Sequence, residues 1–261
     1  AGVPASSIAA FARSIALVGA RAATGYGEHV TLEAAAGLVD RGFAVVSGAA
    51  YGIDGTAHRA ALAQRGTTMA FLAGGLDRPY PSGHSSLIER VAESGAVYSE
   101  VPCGAAPTKW RFLQRNRLIA ASTGATVVLE AGRRSGSLNT AGHAASLGRP
   151  LGAVPGPVTS PASAGCHRLL REYDATCVTT AGEMAELAEP AGADDGPGPE
   201  GDEAPAGGVE RVLASLRRRT PLTTAEIAQR SGVALPDVHA ALGALSMEGS
   251  VVESAAGWLR S

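Results

Sequence analysis

The amino-acid sequence predicts an α/β fold: a Rossmann-like, mostly parallel sheet flanked by helices, followed by a small C-terminal winged-helix domain. Three observations predict it. Short apolar runs alternate with helical patterns through residues 1–189, a Gly/Pro/acid segment interrupts the chain at 190–208, and helix and strand patterns fill 209–261.

The apolar runs are Ile15 to Val18, Ala44 to Val46, Thr68 to Leu72, Ala96 to Ser99, Thr126 to Glu130 and Leu151 to Val154. They lack the two-residue alternation of a half-exposed strand, so they read as strands buried on both faces, each leading into a helix. Pro190 to Gly208 (PAGADDGPGPEGDEAPAGG) has no apolar periodicity and too little hydrophobic surface to order itself, which makes it a linker between two domains. Beyond it, Val209 to Arg219 is patterned as an amphipathic helix. Thr223-Thr224-Ala225-Glu226 offers a cap and an acidic first turn for a second helix ending near Ser231-Gly232, and Leu235 to Gly249 reads as a third. Ser250 to Ser254 and Gly257 to Arg260 form a hairpin around Ala255-Ala256, and three helices with a hairpin make a winged helix.

Composition narrows the class. No run approaches the roughly 18 apolar residues of a membrane span, and Ala1 to Ser14 lacks the pattern of a signal peptide, which points to a cytoplasmic protein. Cys103, Cys166 and Cys177 are widely spaced and odd in number, suiting neither a disulfide framework nor a zinc site. The net charge of −2 is unevenly spread. Residues 1–189 carry 16 Lys+Arg against 14 Asp+Glu, 190–208 carry five acids and no base, and 209–261 carry six bases against five acids. An acidic linker thus hides a mildly basic main domain, and overall charge does not exclude a nucleic-acid partner.

In open α/β sheets ligands bind beyond the carboxyl ends of the strands. After the first strand, Gly19 allows close approach of backbone and Arg21 can fork onto a phosphate. After the second, Ser47-Gly48-Ala49-Ala50-Tyr51-Gly52 opens a helix and offers a hydroxyl and loop amides as an anion cradle. Its glycine spacing is not that of a dinucleotide fingerprint. Asp54 and His58, at i and i+4, read more economically as a helix brace than as acid and base. The stretch from Pro107 to Arg117 holds Lys109, Arg111, Arg115 and Arg117 with no acid, interleaved with Trp110 and Phe112. Cations for phosphates beside rings for bases is the chemistry of sequence-tolerant single-strand binding.

Several of these segments together resemble the DprA/Smf family. Val18-Gly19-Ala20-Arg21, Ser47 to His58, Arg115-Asn116-Arg117, Ser135-Gly136-Ser137-Leu138-Asn139-Thr140-Ala141, Ala153 to Gly156 and Gly165 to Leu170 follow the family's motifs in order, over about Ser14 to Leu187. Ala20, Leu113 and His167 depart from the usual Ser, Pro and Asn. The resemblance implies a homodimer that binds single-stranded DNA, protects it during natural transformation and hands it to the RecA recombinase, with no catalysis and no cofactor or metal. Residue by residue it implies phosphate contacts from Arg21, Lys109, Arg115 and Arg117, a base against Phe112, and amide or hydroxyl contacts from Gly48, Ser135, Gly136 and Ser137. Gly19, Ser47 and Asn116 complete the expected nucleic-acid-binding set. Family members often carry an N-terminal helical module that this sequence lacks.

Two other readings compete. One is a nucleotide-processing enzyme akin to the phosphoribohydrolases, with Glu130 as its acid; the motif from Ser135 to Ala141 is not the "PGGxGTxxE" of those enzymes. The other is a winged-helix transcription regulator. Its third helix carries Asp237, His239 and Glu248 and no Lys or Arg, a poor match to a phosphate-lined major groove, which leaves weak contact through Arg217-Arg218-Arg219 or a protein-interaction role.

Overall fold

The computed structural model describes residues 11–189, 208–216, 221–254 and 257–260. The linker reading on residues 190–207, the basic run Arg217-Arg218-Arg219 and the turn Ala255-Ala256 fall outside the described residues. The chain divides into two compact units, Ala1–Ala193 and Asp194–Ser261.

In the first unit strands and helices alternate as β1 (Ser14–Gly19), α1 (Gly25–Asp40), β2 (Ala44–Ser47), α2 (Ile53–Ala63), β3 (Thr68–Leu72), α3 (Ser85–Ser94), β4 (Ala96–Ser99), α4 (Lys109–Ser122), β5 (Ala125–Glu130), α5 (Ser137–Ser146), β6 (Leu151–Ala153), α6 (Ala164–Glu172), β7 (Thr176–Cys177) and α7 (Ala181–Ala188). The six apolar runs all become strands. β7, only two residues long, has too little pattern to be read from sequence. Every strand pairs in parallel, in the order β4-β3-β2-β1-β5-β6-β7.

Both faces of this Rossmann-like sheet are covered, and β1 shows how. Ile15 and Leu17 pack on one face with Ala34, Leu38, Ile53 and Met184 of α1, α2 and α7. Ala16 and Val18 pack on the other with Ile119, Ala141, Ala144 and Leu169 of α4, α5 and α6. Ala70 and Leu72 of β3 join Ile88 and Val91 of α3 in a third cluster. Burial on both faces is the reason the strand sequences are continuously apolar. Threonine hydroxyls start three of the helices: Thr24, Thr108 and Thr180 accept from the amides of Gly27, Arg111 and Glu183.

The second unit comprises α8 (Gly208–Ser215), α9 (Thr224–Ser231), α10 (Leu235–Met247) and an antiparallel hairpin, β8 (Val251–Ser254) with β9 (Gly257–Arg260). Thr223 and Glu226 form a reciprocal capping box on α9, and Gly232 ends that helix in the left-handed conformation. Val212, Leu216, Ile227, Val238, Leu242, Leu245 and Val251 make its core. Gly208, expected as the last linker residue, opens α8, and that helix ends at Ser215, short of the expected Arg219. Among the described residues no helix is long and apolar enough to cross a membrane, and no group of His, Cys, Asp and Glu could hold a metal ion.

His58 shows what the tight packing costs. Its ring is fully buried, Nδ1 meets the Thr68 hydroxyl at 2.7 Å, and that hydroxyl donates in turn to the Val45 carbonyl. Burial, with smaller contributions from His84, Arg115 and Arg59, pushes the imidazole down to about 3. The folded protein therefore excludes a proton that the unfolded chain binds below about pH 6.5. Stability from this group is complete above that pH and is lost as pH falls toward 3. Wild-type melting temperature should drop on acidification below pH 6.5 more steeply than that of His58→Gln, with the two profiles parallel above pH 7.5; parallel profiles throughout would refute the assignment.

Candidate nucleic-acid interface

Strand order reverses between β1 and β5, and the polypeptide leaves those neighbours toward opposite faces of the sheet. Such a switch point opens a crevice at the carboxyl ends of the strands. A cleft of about 950 Å³ lies there, walled by the loops after β1 and β5, the start of α4, Ala50, Asp54 and Tyr80.

Arg115 forms its back wall. The sequence reading gives this residue a phosphate contact, but its side chain is buried, with the residue only 6% exposed. Nη1 donates to the carbonyls of Gly48 at 2.7 Å and Phe71 at 2.5 Å, and Nε donates to Asn116 Oδ1 at 3.2 Å. The guanidinium lies flat on Gly48, where a Cβ would stand 2.4 Å from Nη1, so Gly48 is required by this contact. Asp54 completes the group: its carboxylate accepts from the amides of Gly48 and Ala50. Burial raises its pKa, and the nearby Arg115 and the two amides pull it back. The same burial lowers Arg115 to about 10 while Asp54 opposes the shift. Asp54 and His58 are thus both structural, though each braces a neighbouring segment and not the other.

The front of the cleft is different. Arg21, Lys109 and Arg134 are exposed cations on its walls with no ion pair among the described residues. Phe112 is half-buried on the same cleft wall, with the Arg21 guanidinium over its ring at 5.1 Å, that of Arg115 at 5.8 Å, and the Tyr80 ring at 5.5 Å. On the β5 side the Ser135 and Ser137 hydroxyls meet at 2.8 Å, and Gly136 has nothing within 4 Å of where a Cβ would stand. Asn116 lines the cleft too, with its amide donating to Asn139 at 3.2 Å.

Three expected residues, Arg117, Ser47 and Gly48, are absent from the cleft wall, and a fourth, Gly19, lines it for another reason; the Gly48 amide is spent on Asp54. Arg117 points away from the cleft and pairs with Glu100 at the end of β4. The Ser47 hydroxyl, fully buried, donates to the Leu17 carbonyl at 2.7 Å, tying β2 to β1. Gly19 does line the cleft, but its lack of a side chain serves packing: a Cβ would come within 2.5 Å of Ile53 and 2.8 Å of the Glu130 carbonyl. Glu130 itself is 2% exposed and accepts from the Thr24 amide at 2.8 Å and the Thr24 hydroxyl at 2.6 Å. It caps α1 and is absent from the cleft wall.

Sequence reasoning missed Tyr80 and Arg134. Both lie in loops that follow strands at the ligand-binding edge, and the pairing of a scarce aromatic with Pro81 in the loop between β3 and α3 was the available signal for the first. The contrast between back and front walls is testable. Arg115→Ala should cost about 3 kcal/mol of folding stability, because two buried carbonyls lose their donor. Lys109→Ala should stay within about 0.5 kcal/mol of wild type. Urea unfolding of both variants checks this; equal midpoints would show that Arg115 is no brace.

The family model described as DNA recombination-mediator protein A matches residues 6–189. A DprA-type DNA processing protein of Mycobacterium tuberculosis is 62% identical over 159 residues, 61% of this chain and 41% of that protein. Protein Smf of Escherichia coli is 41% identical over 159 residues, 60% of this chain and 42% of its own length. The chain thus spans about two-fifths of these curated relatives. Among solved structures, DNA processing protein A of Streptococcus pneumoniae superposes with a TM-score of 0.62 at 36% identity, covering 66% of this chain and 60% of that one. The Helicobacter pylori protein, whose structure concerns its single-stranded DNA binding mode, gives 0.61 at 29% identity over 66% of this chain and 78% of its own. With its motifs, its parallel sheet and most of its first unit matched, the chain belongs to the DNA recombination-mediator protein A (DprA/Smf) family.

Proposed function

We propose that the cleft between β1 and β5 binds single-stranded DNA without strong sequence preference, and that binding, not catalysis, is the activity. One observation carries this reading: Arg21, Lys109 and Arg134, exposed and without ion pairs among the described residues, share one open cleft with Phe112, and the Arg21 guanidinium lies over its ring. Unpaired cations attract a phosphate backbone by releasing its counterions, and rings accept any base. The Gly136 approach and the Ser135 and Ser137 hydroxyls add hydrogen-bonding groups on the opposite wall. The single-strand binding of the Helicobacter pylori relative supports the same reading.

On the same grounds of family membership we propose that this cytoplasmic protein acts as a homodimer, protects incoming single strands and helps load the RecA recombinase. Residues 1–189 are the DNA-binding domain, 190–207 the linker and 208–261 a winged-helix-like domain with a supporting role. The phosphoribohydrolase alternative loses its acid, since both Glu130 oxygens are engaged at the start of α1.

Single-stranded DNA should bind more tightly than duplex of equal length, and affinity should fall steeply with salt. Lys109→Ala should reduce the magnitude of the log–log salt slope by about 0.7. Arg117→Ala should reduce it less, because Glu100 already neutralises that guanidinium. Fluorescence anisotropy at several salt concentrations reads all three, and equal affinity for duplex and single strand would overturn the proposal.

Deleting residues 190–261 should leave most of the single-strand affinity, since every cation of the cleft precedes the cut. Near-complete loss of binding by a truncated protein that still melts cooperatively would move the site to the second unit.

A further inference from the structure

We infer that Trp110 is a second base-stacking ring, set just outside the cleft, on which a single strand lays one base as it leaves past Leu113. This rests on the single-strand reading above, with Phe112 as the ring of the cleft itself. Trp110 is 66% exposed and belongs to none of the hydrophobic clusters that build the fold. It makes no hydrogen bond, ring contact or cation contact among the described residues.

One exposed ring is ordinary on a protein surface. Trp110 is set apart by what adjoins it. Lys109, Phe112 and Leu113 of α4 line the cleft, and Leu113 is itself 37% exposed. Trp110 stands three residues before Leu113, so the two are neighbours on the helix surface, with Cβ atoms about 5–6 Å apart. The indole therefore carries the apolar wall of the cleft outward past its rim. Lys109, next in the chain, is an exposed cation with no ion pair among the described residues, and the first turn of α4 holds no acid. The positive end of the helix is thus left to favour a phosphate. A cation for the backbone beside a ring for the base is the pairing that sequence-tolerant single-strand sites use. A polyanion also fits this face better than a second copy of the chain, whose own Lys109 would be brought toward it by a two-fold axis. The turn is held in place: Thr108 accepts from the Arg111 amide at 3.3 Å, and the Arg111 guanidinium donates to the Ala106 carbonyl at 2.5 Å. Trp110 is therefore carried on backbone with little freedom left to lose when a base covers the ring. Farther along the same side of α4, Glu100 neutralises Arg117, and the cationic track ends there.

The test uses the full chain and exploits its two tryptophans. Trp258 packs against the core of the second unit, and Trp258→Phe keeps a ring there while leaving Trp110 as the one tryptophan. Titrating this variant with a long oligothymidylate should quench the Trp110 emission, and an abasic strand of equal length should not. In the wild-type background Trp110→Ala should weaken oligothymidylate binding by about 5- to 150-fold, the range of one lost base stack, with the salt slope and melting temperature unchanged. Trp110→Phe should keep most of the affinity, and the alanine penalty should vanish on the abasic strand. If Trp110→Ala binds within twofold of wild type while Lys109→Ala weakens binding, the inference fails and the single-strand reading survives. An equal penalty on the abasic strand would also overturn it, because Trp110 would then act on the helix start and not on a base. Emission that shifts with protein concentration but not with oligothymidylate would overturn it in favour of a second copy as the occupant. A wild-type protein without single-strand preference removes the proposed function and this inference together.

Discussion

The cleft depends on one buried cation. Arg115 reaches from α4 to the loop after β2 and to the end of β3, and binds a carbonyl in each. A buried guanidinium is costly unless nearly all its donors find acceptors. Here the acceptors are two main-chain carbonyls and Asn116, with the Asp54 carboxylate close enough to stabilise the charge. Asp54 in turn receives two amides of the same loop that Arg115 holds by its carbonyl. Loop, helix and strand are therefore locked by a polar cluster in which each group satisfies another. Gly48 is the spatial condition of the whole arrangement, since any side chain there would occupy the place of the guanidinium.

This brace separates two roles that composition alone merges. The basic residues from Lys109 to Arg117 look alike in sequence, yet the helix they form sorts them by face. Arg115 lies one turn before Ile119, which is fully packed against the sheet, and so is carried inward. Lys109 stands at the exposed start of the helix, at the mouth of the cleft. Arg117 turns to the opposite side and meets Glu100. The cations left for a ligand come from three different segments, Arg21, Lys109 and Arg134, and only the fold brings them together.

The strands were legible in the sequence because burial on both faces leaves a plain apolar signature, and the ligand-binding edge followed from strand direction. The second unit was legible for local reasons: Thr223, Glu226 and Gly232 carry recognisable capping chemistry. The roles of Arg115, Ser47 and Gly19 were not, because each is decided by partners distant in sequence, respectively Phe71, Leu17 and Glu130. Residue type told that an arginine or a serine would be needed near the cleft, but not whether it would face the ligand or the backbone. A helical reading of α4 was the one signal that could have placed Arg115 inside, through its spacing to Ile119.

The position of Glu130 bears on which side of the switch point the cleft can receive an anion. In a doubly wound sheet the N-terminus of the first helix is a natural seat for phosphate. Here that seat is taken from within the chain: Glu130 binds the Thr24 amide and hydroxyl, Thr24 caps the Gly27 amide, and a side chain at Gly27 would collide with the carboxylate. An external anion would have to displace a buried side chain that already accepts both groups. Across the switch point, α5 begins after Gly136, an N-cap residue that supplies no side-chain cap and has open space where a Cβ would stand. Closing one helix start and leaving the other open turns the anion-attracting part of the crevice toward the β5 loop and α4. There the cleft is walled by cations and rings, the side-chain chemistry on which the proposed single-strand binding rests.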